Sequence, residues 1–245
     1  ITTHSLGDKW ILTRTQEIIK EVTDDIENFR FSEAGTKIYN FTWNEYCAWY
    51  LEFSKGEQKN LPVLMYVLES ILSVLHPFVP FVTEALWQEL KHGEKNMLMA
   101  HSWPEVNKKF IFKKDAGQMQ VVIDVITAIR NLRHESGISP AEKITVHLGA
   151  GKWKKLLLEK HTAIIRMAHL GKLEIADKAP TMHHALKQFT GAGVEILIPA
   201  EGIIDISAEI KRLTEEKENL EKYIGGLKAK LSNKNFIENA PKNIV

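Results

Sequence analysis

The chain has 245 residues, 44% hydrophobic and 26% charged, with 32 Lys and Arg against 31 Asp and Glu for a formal net charge of +1. This length suits one large or two smaller domains, and the balanced charge excludes a globally basic binder, so any nucleic-acid surface must be local. The single cysteine, Cys47, excludes an intrachain disulfide and a Cys-based zinc site and fits a reducing, cytoplasmic compartment.

An amphipathic helix is predicted from Asp8 to Phe29, with Ile11, Ile18, Val22, Ile26 and Phe29 on its buried face and Arg14, Glu17, Lys20, Glu21 and Asp24 opposite. A second helix begins near Ser32 as N-cap. It carries the aromatic stripe Tyr39, Trp43, Tyr46, Tyr50 and Phe53, with Ala34, Ile38, Phe41 and Ala48 widening a core-facing surface. Leu61 to Leu75 reads as a third helix ended by Pro77, and Pro80 fits the first turn of a fourth that ends near Leu90. Glu69, Glu84, Pro77 and Pro80 interrupt this apolar stretch, so it cannot span a membrane, and no signal peptide is visible. Ser102-Trp103-Pro104 marks a loop. The short connections favour an antiparallel bundle over residues 1–112.

A small α/β (α+β) unit follows over residues 113–202. It should contain a helix from Gln118 to Glu135, a strand at Lys143 to Leu148, a helix from Trp153 to Leu170, and strands near Leu173 to Ile175 and Val194 to Ile198. Residues 203–245 hold a coiled-coil seam of Ile206, Ile210, Leu213, Lys217, Leu220, Ile224, Leu227 and Leu231, with Asp205 as N-cap. Gly225 and Gly226 should weaken or bend this helix. From Lys222 onward the arm is basic: Lys222, Lys228, Lys230, Lys234 and Lys242 stand against Glu238. The expected fold class is mainly α, with the small α/β unit between bundle and arm. The opening at Ile1 and the stop at Val245 after a charged helical pattern read as cuts from a longer chain.

Motifs for catalysis are largely absent. Gly149-Ala150-Gly151-Lys152 lacks the earlier glycine of a phosphate loop, where Val146 stands, and Trp153 replaces the magnesium-binding hydroxyl. Gly191-Ala192-Gly193 precedes a strand and suits a tight turn. His183, His184, His161 and His169 lack metal-ligand spacing. Arg130 and Arg133 share a helix face and suit either pairing with Glu135 or a nucleic-acid backbone. Arg30 and Phe31 fall at a helix break. They suit phosphate contact plus base stacking, or equally a helix-terminus charge beside a buried anchor.

Together Gly7-Asp8-Lys9-Trp10-Ile11-Leu12, Trp43 to Tyr50, Leu75-His76-Pro77 through Trp87, and Ser102-Trp103-Pro104 resemble the anticodon-binding bundle of class I aminoacyl-tRNA synthetases of the valine, isoleucine and leucine subgroup. Arg130 to Ile144 looks like the segment that follows that bundle. Lys230-Leu231-Ser232-Asn233 through Ala240-Pro241 looks like the ending of the valine-specific branch, and Cys47 alone cannot build the zinc module of many isoleucine enzymes. The resemblance implies tRNA for valine as partner, together with catalytic and editing domains of the same parent chain. It implies no cofactor in this segment, with ATP and Mg used by the parent, and no aminoacylation here, since the HIGH-type and KMSKS-type signatures do not occur. It places Arg14, Arg30, Phe31 and Asn44 at the anticodon, and Arg212, Lys222, Lys228 and Lys230 of the arm on the tRNA backbone. The competing readings are a structural module that dimerises through the coiled coil and the equivalent segment of a sibling isoleucine or leucine enzyme. The apolar stripe of the arm needs cover, expected from a neighbouring copy or from the chain's own body.

Overall fold

The computed structural model describes residues 2, 5–55, 60–90, 97–200 and 206–232. Helix α1 spans Leu6–Glu27 and opens with a capping box in which Ser5 and Asp8 exchange backbone hydrogen bonds. Helix α2 (Phe31–Asn40) runs directly into a π-helical segment, Phe41–Tyr50, and a last turn, α3 (Leu51–Ser54). Helices α4 (Leu61–Leu75) and α5 (Pro80–Glu89) each carry proline in the first turn, where its missing N–H leaves no bond unmade. Helix α6 spans Lys113–Glu135.

The α/β part contains β1 (Ile144–Gly149), α7 (Lys154–Glu159), α8 (His161–Ala168), β2 (Leu170–Ala176), β3 (Ala185–Phe189) and β4 (Glu195–Pro199). The sheet order is β2-β1-β4-β3. β1 and β2 are parallel across the helical crossover, and the other two pairs are antiparallel. The helix expected from Trp153 to Leu170 is therefore two helices divided at Lys160, and β3 is an additional strand. Half-exposed and interrupted by Lys187 and Gln188, β3 lacks an apolar run that would announce it.

One apolar core runs from the bundle into the sheet, joining Ile11, Phe41 and Val67 to Ile126, Val146 and Ile196. Helix α6 carries it across: it packs on α1 and also on α8, β3 and β4. Asp8, the buried acid of the opening motif, ties three elements by accepting from Tyr50 Oη at 2.7 Å and Asn60 Nδ2 at 2.8 Å.

The aromatic stripe does not behave as one core face. Tyr46, Tyr50 and Phe53 are buried, but Tyr39, Trp43 and Ala48 face solvent. The π segment explains the split: Leu51 N–H donates to Tyr46 O, five residues back, so each turn takes in an extra residue and the faces drift out of α-helical register. Ser32 is likewise not the N-cap of α2, because the helix already begins at Phe31.

Helix α9 (Ile206–Ser232) passes uninterrupted through Gly225 and Gly226, at which no break occurs. The seam side chains Lys217, Leu220, Ile224, Leu227 and Leu231 are all exposed, so this part of the stripe does not fold back on the body as expected. A lone helix supplies only half of a knobs-into-holes interface. Asp205 lies outside the described residues, as do the side chains of Ile206, Ile210 and Leu213.

Candidate nucleic-acid interface

The corner between α1 and α2 is built by a Schellman motif. Phe29 N–H donates to Ile26 O at 3.0 Å and Arg30 N–H to Asp25 O at 2.7 Å. The residue in the left-handed position of this motif is normally glycine. Here it is Phe29, at φ +59° and 81% exposed, not buried on the α1 face as its spacing suggested. Its ring meets that of Phe31 edge-on, with centroids 6.1 Å apart and planes at 83°. Phe31 is 52% exposed, so it is no buried anchor. Two aromatic rings thus stand in solvent where the chain turns, one of them on a strained backbone that burial does not compensate.

Arg30, between them, is tied inward. Its Nε donates to Asp25 Oδ1 at 2.9 Å, and its Nη2 bonds Asp24. Asp25 is buried and also pairs with Lys37 at 2.7 Å. The Lys37 hydrogen bond first, and Arg30 after it, hold the Asp25 carboxyl below the usual carboxylate range against the opposing effect of burial. A carboxyl depressed in the folded state stabilises the fold above its ordinary value, about pH 4, and that contribution is lost as pH falls through the folded value. Acid unfolding of the corner is therefore expected below about pH 4 and, in thermal melts at stepped pH, should be less steep in Asp25→Asn. Identical acid limbs in the two proteins would remove Asp25 from this role.

Arg14 and Asn44 sit elsewhere. Arg14 forks onto Glu45, Nε to Oε2 at 2.7 Å and Nη2 to Oε1 at 3.0 Å, and its Nη1 bonds Glu17. The Glu45 hydrogen bond is the main reason its guanidinium holds its proton more tightly than a free one. This fork clamps α1 to the π segment. Asn44 is exposed beside it, with Nδ2 donating to Asn40 Oδ1 at 3.3 Å. At 1.5 Å per residue, Asn44 lies roughly 20 Å along the helix from Phe31. The four residues thus form two pairs, not one cluster.

The signal missed in the sequence is Phe29, which helical spacing assigned to the core. Lys222 and Lys228 are exposed on α9, while the side chains of Arg212 and Lys230 lie outside the described residues. Two glycine motifs receive structural explanations. A Cβ on Gly149 would come within 2.6 Å of Ala179 N, and Gly193, at φ +80°, closes the tight turn between β3 and β4. No group of three or more metal-ligating side chains occurs among the described residues, and no helix there is long and apolar enough to cross a membrane.

Residues 8–148 match the model of the anticodon-binding domain of tRNA ligases. The chain belongs to that family. The exposed Phe29–Phe31 corner falls inside the anticodon-binding match, as does α6, and residues 205–245 match the valyl tRNA synthetase tRNA-binding arm. The chain is similar to valine–tRNA ligase of Staphylococcus carnosus, with 40% identity over 253 residues that cover 98% of this chain and 28% of that protein. It is also similar to the valine–tRNA ligases of Listeria innocua, at 36% over 251 residues, and Bdellovibrio bacteriovorus, at 36% over 258. In both, 98% of this chain is covered, against 28% and 29% of the relatives. The chain therefore spans under a third of the length of these relatives.

Proposed function

We propose that this chain is the tRNA-binding portion of a valine–tRNA ligase, a cytoplasmic enzyme that attaches valine to its tRNA. In this reading, valine activation with ATP and Mg belongs to the catalytic domain of the parent, and the segment itself carries out no chemistry and needs no cofactor. Residues 1–112 read the anticodon, residues 113–202 link, and residues 203–245 begin the arm that contacts the tRNA backbone. The observation that carries the reading is the exposed Phe29–Phe31 pair within an anticodon-binding bundle. Sequence-specific RNA recognition targets unstacked bases, which stack on aromatic rings. Arg14 contributes by holding the π segment and Arg30 by fixing the corner, with Asn44 and Phe31 offered to bases. On the arm, Arg212, Lys222, Lys228 and Lys230 are the proposed phosphate contacts.

The test is a titration of tRNA carrying a valine anticodon against the same tRNA with altered anticodon bases. Tighter binding of the first is expected, and equal affinity would sink the anticodon assignment. A second variant separates function from folding. Phe29→Gly removes the left-handed strain and should raise stability by about 1 kcal/mol. If Phe29 stacks on RNA, tRNA affinity should fall in the same protein. A stabilised variant with unchanged affinity would make Phe29 a bystander.

The exposed stripe of α9 supports a second reading, a module that self-associates. Concentration-dependent dimerisation without tRNA binding would favour it.

A further inference from the structure

The α/β part carries a groove of about 550 Å³ that the anticodon reading does not use. It lies where the C-terminal ends of α6 and α8 meet the loop at residues 137–140. Its floor includes Ile138 and Met167, and its lining contains Arg130, Arg133, His134 and His169 but no carboxylate. Arg130 and His134 are one turn apart on α6, so they present to the same side.

No carboxylate lining the groove pairs with its arginines. Helix C-termini carry partial negative charge, and the last carbonyls of α8 point here. The two arginines cover them: Arg130 Nε and Nη2 donate to Met167 O at 3.0 and 2.7 Å, and Arg133 Nη1 to Ala168 O at 2.7 Å. The acceptors are neutral carbonyls, and neither arginine forms an ion pair among the described residues. Two full positive charges therefore meet the fraction of a charge that a helix end supplies, with Glu52 and Glu142 acting on them only from beyond ion-pair distance. Arg130 is also exposed, packs its guanidinium over Trp49 at 5.2 Å, and keeps Nη1 without a hydrogen-bond partner among the described residues. The rim residue His169 is exposed and held at φ +53°, where glycine would be unstrained.

We propose that this groove is a second RNA contact, in which Arg130 Nη1, His134 and His169 take a backbone phosphate of the tRNA, independently of anticodon reading. It rests on the tRNA-binding reading above. Phosphate contacts set register and affinity without reading sequence, so the groove contributes to binding and salt dependence but not to anticodon discrimination.

The test uses the 245-residue chain, tRNA for valine, and a tRNA with changed anticodon bases, titrated at several salt concentrations. Arg130→Gln should weaken both tRNAs by the same factor, about tenfold at low salt, and reduce the slope of log affinity against log salt by about one. Because Arg130 also holds Met167 O, His134→Glu provides a variant at an exposed position with no packing role. It should weaken both tRNAs equally with an unchanged melting temperature. Wild-type affinity and slope in a folded His134→Glu and Arg130→Gln would overturn the groove proposal. So would a loss confined to the matched anticodon. A wild-type chain that binds neither tRNA would instead overturn the tRNA-binding reading, and the groove proposal with it.

Discussion

Replacing Arg133 by alanine is expected to destabilise the protein by about 3 kcal/mol or more. Arg133 is 5% exposed, and its two terminal nitrogens make four bonds: Nη1 to Ala168 O and His169 O, Nη2 to Ser139 O and Glu142 O. Hydrogen bonds to a charged donor contribute about 1.5–3 kcal/mol each, and water re-entering the site would recover only part of that sum. The carbonyls belong to the end of α8 and the loop into β1, so one side chain closes the joint between α6 and the sheet. Lysine should rescue poorly, because its point charge cannot fork to two pairs of acceptors. The expected partner Glu135 takes no part in these bonds, so Glu135→Ala should be nearly neutral. Urea unfolding of the three variants checks the ranking. A loss under about 1 kcal/mol for Arg133→Ala would refute the clamp.

Phe31→Ala is expected to weaken tRNA binding by about 1–3 kcal/mol, roughly 5- to 150-fold, if the ring stacks on an anticodon base. The ring is half exposed and its nearest aromatic neighbour, Phe29, is itself in solvent, so the cost to folding should be small. Affinity measured beside the melting temperature separates the two contributions. A drop in stability with unchanged affinity would show that Phe31 packs and does not read. The same pair of measurements on Trp43 is informative, since it is exposed on the face that also presents Asn44.

Arg14 shows why a charged residue in a matching segment is not by itself a contact. Its type and position suited RNA, but Glu45, 31 residues away in sequence, takes its guanidinium in a fork. The same holds for Arg130 and Arg133, whose three-residue spacing suggested a local acid, whereas the bonds run to backbone carbonyls, of Met167 and Ala168 far along the chain and, for Arg133, also of Ser139 and Glu142. Such pairings depend on which elements the fold brings together.

The sequence by itself determined the helical bundle, the α/β unit after it and the long terminal helix, because periodicity, proline and glycine act within a few residues. Leu61–Leu75 matches its predicted limits for this reason: proline acts at both ends of that helix. The family was legible too, since short motifs keep their order. Tertiary structure alone decided which aromatics are buried. The π segment set Tyr46, Tyr50 and Phe53 on the buried face out of register with Tyr39 and Trp43, which stay in solvent, and a Schellman corner set Phe29 in solvent despite its apolar spacing. Burial is settled by the surface an element meets and by the register in which it meets it, and neither is encoded in the element's own period.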